Sequence, residues 1–174
     1  MNIKFLNLFI VSIFFSCTND MQDIESLYNE SIMHDYGLDV EINHYLKGQL
    51  EFKLITPEIE KVDEPVEKNI FPSGIQVFIY NQNLDTVATI FSDFAIQDKY
   101  EKLVEVQKNV ILKNLNNEQL NTEKLFWDRE KETIYTDDFV TISTDNEIIM
   151  GYGFVTDQAF STYTLSNITG TIYL

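Results

Sequence analysis

The sequence of 174 residues predicts an all-β protein, and three observations support this prediction. From residue 38 onward, apolar and polar residues alternate with a period of two, and β-branched or aromatic residues fill most of the apolar positions, as in strands with one buried face. Residues that favour turns separate these stretches. A pattern of strands and turns also recurs at intervals of 30 and 29 residues. No part of this region has the period of a helix.

The first twenty residues have the pattern of a bacterial lipoprotein signal. Lys4 precedes an apolar run over residues 5–15, which ends at Ser16 and Cys17. Eleven helical residues span about 16 Å, about half of a bilayer's hydrocarbon core, so the run suits a secretory segment. Cys17 is the only cysteine, and we expect cleavage before it and diacylation of its thiol. The alternatives are an uncleaved N-terminal anchor and a buried structural cysteine.

The charge of the chain restricts its partners. The formal net charge is −16, and it becomes −17 when residues 1–16 are removed with their single lysine. A chain this acidic is repelled by nucleic acid and by anionic membrane surfaces, so we expect no nucleic-acid partner and a solvated acidic surface. The remaining 158 residues suffice for one core. With Cys17 lipidated, no thiol remains for a disulfide.

A polar and acidic connection follows the signal. Ile24, Leu27, Tyr28 and Ile32 have helical spacing there, but beside a lipid anchor we expect a tether that holds the domain away from the bilayer. The predicted organisation is therefore a signal peptide over residues 1–16, a tether over residues 17–37 and a β domain over residues 38–174.

Five segments at the start of the domain have the pattern of strands. They read LDVEI, GQLEFKL, GIQVFIY, DTVATIF and KLVEVQKNVIL. Lys47-Gly48 and Ser73-Gly74 are expected to form turns between them. Residues 56–74 contain all three prolines and are predicted to form one longer loop or an irregular edge.

The repeat has two kinds of turn. Its first turn is headed by an Asp that ends AIQD, LFWD or FVTD, and a new strand begins about six residues later; Asp suits this place because its carboxylate accepts backbone N–H groups within a turn. A second turn is predicted at a polar-apolar pair. The first turns are at Asp98, Asp128 and Asp157, the new strands begin near Val104, Ile134 and Tyr163, and the second turns are at Asn109-Val110, Asp138-Phe139 and Asn167-Ile168.

Such a repeat predicts neighbouring units that stack over a continuous core. Trp127-Asp128 is then a corner of the repeat, with Trp127 in the interior, and not a catalytic pair. Gly151 and Gly153 are expected to permit a bulge or a close approach of two backbones.

No pattern in the sequence indicates catalysis, a cofactor or a metal. His34 and His44 are ten residues apart, and no third ligand has the spacing of a metal site. There is no nucleophile elbow, no phosphate-binding loop and no Cys–His pair. The chain is not expected to be an enzyme. Its interior is the remaining candidate site, either as a closed sandwich core or as an open groove for acyl chains.

The C-terminal half carries a family resemblance. Three motifs match: L-x-T-x-x-L-x-W-D at residues 120–128, G-x-G-F-x-x-D at residues 151–157 and N-I-x-G-x-I at residues 167–172. With these motifs the chain resembles the LptC family of periplasmic lipopolysaccharide-export proteins, in its Bacteroidetes form. LptA-like bridge proteins share the repeat, and Cys17 favours the membrane-attached family.

The resemblance implies an open, twisted β-jellyroll without enzymatic activity. Its groove would take lipopolysaccharide from an inner-membrane ABC exporter of the LptB/LptF/LptG type and pass it to an LptA-like bridge protein. It also implies a periplasmic location, with the lipidated N-terminus in the inner membrane. The candidate groove residues are Phe52, Leu54, Ile79, Val104, Val106, Leu125, Trp127, Ile134 and Phe154.

The resemblance places the bridge protein at the C-terminal strand. Thr169, Thr171 and Ile172 are the candidate docking residues, because a last strand without a successor leaves its backbone groups unpaired. The alternative function is that of a surface-exposed β-sandwich lipoprotein that binds glycan or protein.

Overall fold

A computed structural model of the protein describes residues 35–62, 66–98, 100 and 102–173. These residues contain no helix and form eleven strands of one antiparallel sheet, which confirms the all-β prediction. The strands are β1 (Asp35–Leu46), β2 (Gln49–Val62), β3 (Lys68–Phe71), β4 (Ile75–Tyr80), β5 (Thr86–Ser92), β6 (Phe94–Asp98), β7 (Leu103–Asn114), β8 (Gln119–Asp128), β9 (Thr133–Ser143), β10 (Glu147–Asp157) and β11 (Tyr163–Tyr173).

The N-terminal predictions lie mostly outside the described residues. This holds for the signal peptide, for Cys17, for His34 and for the residues of helical spacing in the tether. β1 begins at Asp35, three residues before the expected start of the domain, and it pairs with β2 along nearly its whole length. The predicted turn at Lys47-Gly48 joins these two strands.

The sheet is folded because two of its strands change partners along their length. β2 pairs with β4 through residues 52–55 and with β3 through residues 60–62. β7 likewise pairs with β6 through residues 104–107 and with β5 through residues 111–114. Each long strand therefore runs through two layers.

The two layers are called half A and half B. Both contribute buried side chains to one core cluster, so they face each other across it in a jellyroll-like sandwich, as predicted. Half A contains β3, β6, residues 60–62 of β2 and residues 103–107, 125–128, 133–136, 154–157 and 163–165 of β7 to β11. Half B contains β4, β5, residues 52–55 of β2 and residues 110–114, 119–122, 139–143, 147–151 and 168–173 of β7 to β11. The turn that joins two strands is assigned to the half in which those strands end.

A bend line separates the halves, and it corrects the second turn of the predicted repeat. Asn109-Val110, Asp138-Phe139 and Asn167-Ile168 all lie within continuous strands. The strand register shifts between Gln107 and Val110, where Lys108 and Asn109 have φ of 64° and 50°. The polar-apolar pair thus marks a bulge that bends the strand, because the chain beyond it continues with the same neighbour.

The first turn of the repeat is confirmed. Asp98, Asp128 and Asp157 are the last residues of β6, β8 and β10. In each, Oδ1 accepts a backbone N–H two residues later, at 2.9 Å from Tyr100, 3.1 Å from Glu130 and 2.8 Å from Ala159. These three turns lie side by side at the free end of half A.

The long loop predicted over residues 56–74 is wrong. β2 continues to Val62, and β3 occupies Lys68–Phe71. Pro57 is tolerated in a strand because it lies between the residues of β2 that pair with β4 and those that pair with β3, so no ladder bond on that side needs its missing N–H.

Two glycines allow backbones to approach closely. Gly74 has a φ of +83°, and a Cβ there would lie 2.1 Å from the Ser92 carbonyl oxygen. A Cβ on Gly151 would lie 2.4 Å from the carbonyl oxygen of Asn167 in β11, beside a register shift. The turn predicted at Ser73-Gly74 and the close approach predicted at Gly151 are both present.

Candidate functional site

The predicted groove residues share one interior. All nine belong to a single core cluster, and none exposes more than 6% of its surface. The alternation of the strands therefore identified the buried faces correctly, Trp127 included. Their role as lipid contacts stays a prediction, because the interior is closed and packed in this structure.

Sequence patterns missed half of this interior. Phe160 is fully buried, although it lies in the turn after Asp157, with a φ of 52° and an N–H donated to the Asp157 carbonyl at 3.0 Å. Its ring is 5.7 Å from that of Phe154. A turn residue carries no alternation signal, so only the structure shows that Phe160 closes the core. Other fully buried residues outside the predicted set are Phe71, Val77, Ile90, Ala95, Val110, Leu112, Leu120, Val140 and Ile142.

An aromatic cluster occupies one end of the interior. The Phe52 ring stacks on His44 at 4.8 Å and meets Trp127 edge-on at 5.1 Å. The indole Nε1 of Trp127 donates a hydrogen bond to Gln158 Oε1 at 3.1 Å. The cluster is amphipathic. The rings of Phe52 and Trp127 pack in the interior, whereas the His44 imidazole, the Trp127 N–H and the Gln158 amide lie toward the surface.

The free ends of the two halves meet along a line called the seam. Arg129 of half A lies over the Phe52 ring of half B, with its guanidinium carbon 4.9 Å from the ring centroid. Asn114 Nδ2 of half B donates to the Phe160 carbonyl of half A at 2.9 Å. A cation–π contact and a hydrogen bond each contribute only about 1 kcal/mol, so these two contacts hold the seam weakly.

Electrostatics on both sides of the seam follow from burial and hydrogen bonding. Burial, with the Glu118 and Glu147 carboxylates nearby, raises the pKa of Tyr163. Burial lowers the pKa of Arg129, and the negative charge of Glu51 acts in the opposite direction. The Lys131 ammonium and backbone N–H hold the pKa of Asp128 below its usual value.

A cavity of about 390 Å³ opens on the seam, and we call it the mouth. Three predicted groove residues, Phe52, Ile79 and Trp127, reach it from the interior, and the cations Lys102 and Arg129 join them. The mouth therefore combines apolar and charged groups in one concave surface. Its other lining residues are His44, Leu46, Glu51, Tyr80, Glu130, Glu132 and Gln158.

A larger cavity of about 630 Å³ follows the bend line. It includes none of the predicted groove residues and is bordered by the exposed rings of Phe139 and Tyr152, which are 5.2 Å apart. Size alone does not make it the site, because its walls are mostly the bulged parts of the strands, and Val110 is the one core residue that lines it.

Comparison with known proteins decides the family. The family model for lipopolysaccharide-assembly, LptC-related proteins matches residues 8–174. The chain belongs to the LptC family. No curated protein matches the sequence. The LptC family takes part in lipopolysaccharide transport, is periplasmic and associated with the inner membrane, and is not a known enzyme family.

The predicted docking residues of this LptC-family chain lie on the last strand. β11 pairs with β10 and with no other strand among the described residues. Thr171 lies opposite Ile149, Ile172 lies opposite Ile148, and Thr169 Oγ1 donates to the Met150 carbonyl at 3.2 Å. β11 contains no charged residue, and it exposes Ile168, Ile172 and Tyr173.

The opposite edge of the sheet, at β1, is also open, and the sequence did not single it out. β1 pairs only with β2 within the described part of the chain, and it exposes Tyr36, Leu38, Tyr45 and Leu46. It also carries acidic residues, so its edge is charged where that of β11 is not.

Two further observations limit the chemistry of the described residues. They contain no helix that could cross a membrane. They also contain no group of three His, Cys, Asp or Glu side chains placed to hold a metal ion.

Proposed function

We propose that the protein takes lipopolysaccharide from an inner-membrane ABC exporter of the LptB/LptF/LptG type into its interior and passes it to an LptA-like bridge protein. The observation that carries the proposal is the uncharged, open edge of β11 beside a continuous apolar core. Membership of the LptC family supports the same cargo.

The interior suits acyl chains by its composition. Each methylene group that a lipid buries contributes about 0.8 kcal/mol, so a chain of a dozen carbons binds without any polar contact. The domain's negative charge gives no general attraction for phosphate groups. Apolar burial between half A and half B therefore supplies the affinity, and the seam opens to admit the chains.

The edge of β11 suits transfer to a bridge protein. Proteins normally protect an exposed edge strand with charges, prolines or a short length. β11 is eleven residues long and contains no charged residue and no proline. A partner strand added to this edge satisfies the backbone groups and extends the apolar interior into the next molecule.

The anchor proposed at Cys17 completes the arrangement. A lipidated Cys17 holds the domain on the periplasmic side of the inner membrane, close to the exporter. Cys17→Ser is expected to abolish palmitate labelling and to leave the precursor uncleaved at that site. Unchanged labelling of the variant would show that Cys17 is not the lipidated residue.

Photocrosslinking in living cells tests the cargo and its place. A photoreactive phenylalanine at Trp127 or Phe154 is expected to form an adduct with lipopolysaccharide. The matched control is Lys113, which is exposed on half B and lines no part of the mouth. Exposed Glu130 is unsuitable as a control because it lines the mouth.

The possible outcomes separate the two functions. Adducts at the interior positions and not at Lys113 support transport. Equal adducts at all three positions contradict the interior as the site. A fully folded protein without any lipid adduct contradicts the transport proposal and favours a β-sandwich lipoprotein that binds glycan or protein.

A further inference from the structure

Arg129 is the only arginine among the 174 residues. It is half-buried at the mouth, directly after the Asp128 corner. Its backbone N–H donates to the Lys102 carbonyl at 3.2 Å, and its guanidinium lies over the Phe52 ring. Within the described part of the chain, the guanidinium has no hydrogen bond and no ion pair.

Some lysines of this acidic protein do pair with acids. Lys53 lies 3.0 Å from Glu41, and Lys131 lies 2.8 Å from Asp128. The acid that attracts Arg129 most is Glu51, whose carboxylate is 3.5 Å from His44 Nε2. No side-chain nitrogen of the described residues is buried without a hydrogen-bond partner, so the guanidinium nitrogens reach solvent. Their five donors are therefore open to a ligand that supplies acceptors.

We propose that Arg129 binds the phosphate of the lipopolysaccharide head group at the mouth while the acyl chains occupy the interior. This inference rests on the transport function proposed above. The planar guanidinium matches two phosphate oxygens at once. The Phe52 ring lies against the guanidinium, and Trp127 continues from the mouth into the core.

The surroundings select a phosphate that carries an apolar tail. Glu130 and Glu132 are exposed at the rim of the mouth, where their repulsion is screened by salt but still opposes small free anions. Exposed Lys102, also at the rim, partly offsets this repulsion. A free phosphate gains only the contact with Arg129, whereas a glycolipid adds the burial of its acyl chains.

The test compares two lipids and three variants of the full-length protein in one detergent. The lipids are native lipopolysaccharide and the same material after phosphatase treatment, and inorganic phosphate serves as a competitor. The variants are Arg129→Gln, Arg129→Lys and, as a matched control that removes one positive charge outside the lining of the mouth, Lys113→Gln.

The unsubstituted protein is expected to bind the native lipid about tenfold more tightly than the dephosphorylated lipid. Arg129→Gln should reduce this ratio to about one without weakening the binding of the dephosphorylated lipid. Arg129→Lys should keep part of the ratio, since it keeps the charge but not the planar fork. Lys113→Gln should keep all of it, and millimolar inorganic phosphate should not displace the lipid.

Three results would overturn the inference. The first is an unchanged ratio in Arg129→Gln or, should that variant not fold, in Arg129→Lys. The second is an equal loss in Lys113→Gln, which would indicate general electrostatics. The third is displacement of the lipid by inorganic phosphate, which would indicate a site for any phosphate. Binding of neither lipid by the unsubstituted protein would instead contradict the transport function itself.

Discussion

Asp128 stabilises the corner beside Trp127 through two different interactions. Its Oδ1 accepts the backbone N–H groups of Glu130 and Lys131 at 3.1 and 3.0 Å, and its Oδ2 lies 2.8 Å from the Lys131 ammonium. The Lys131 side chain is 77% exposed, and exposed ion pairs contribute little. The two backbone hydrogen bonds are therefore expected to matter more than the charge.

Substitution separates these two contributions. Asp128→Asn keeps an oxygen that can accept the backbone N–H groups, whereas Asp128→Ala removes it. We expect Asp128→Ala to lower the melting temperature by about 2–4 °C and Asp128→Asn by less, measured by calorimetry at pH 7. An equal loss in both variants would mean that the ion pair with Lys131 dominates.

The pH dependence of the same variants follows from the carboxylate's lowered pKa. Because the pKa of Asp128 is lower in the folded protein than in the unfolded chain, its ionised form stabilises the fold above the unfolded pKa. That stability is lost as the pH falls through the lower, folded-state pKa. The difference in melting temperature between the unsubstituted protein and Asp128→Asn should therefore shrink below about pH 4.

At the scale of single residues, the sequence predicted those roles that depend on neighbours along the chain. The spacing of the Asp residues identified the three corners, since an Asx turn is completed within four residues. Arg129 could not be singled out in this way. Its significance comes from Phe52 in β2 and from the absence of an acidic partner among the described residues, neither of which is visible in local spacing.

At the scale of elements, the sequence predicted the strands better than their continuity. The second polar-apolar pair of each repeat suggested a chain reversal, but β7, β9 and β11 pass through it as bent strands. A bulge and a turn both favour Asn, Asp and positive φ. They differ only in whether the same strands pair on both sides, which is a long-range property.

The exposed edge of β11 gives a prediction for this scale. Along an antiparallel edge strand, residues alternate between those whose N–H bonds to the neighbour and those whose N–H faces outward. Thr171 and Ile172 are adjacent and both oppose β10, so one N–H of the two faces the open edge. Proline at that position should reduce binding of the bridge protein at least tenfold by removing one donor.

Of Thr171→Pro and Ile172→Pro, the variant at the residue whose N–H bonds to β10 is the matched control. It removes a hydrogen bond to β10 and should lower the melting temperature, whereas the outward variant should not. Pull-down of the bridge protein, lipid binding and calorimetry are measured on both Thr171→Pro and Ile172→Pro. Full partner binding by both folded variants would mean that the docking edge lies elsewhere; among the described strands, β1 is the other open edge.

At the scale of the whole molecule, alternation predicted which faces are buried but not what they face. Phe52 and Trp127 were both predicted as interior, yet only the pairing of β2 with β4 and of β8 with β9 places them in opposite halves. A closed sandwich and an open groove have the same alternation. Their difference lies in the contacts at the seam, which involve turns and strand ends.

The seam gives the prediction that tests how acyl chains reach the core. Asn114 of half B contacts the Phe160 carbonyl of half A, so a short reversible thiol crosslinker between Asn114→Cys and Ser161→Cys joins the halves. In a Cys17→Ser background, the crosslink should reduce lipopolysaccharide binding about tenfold, and chemical reduction of the crosslink should restore binding.

The control, Thr144→Cys with Glu147→Cys, spans the β9–β10 turn within half B and should not affect binding. Full binding with the seam crosslinked would show that the chains enter along the strand edges.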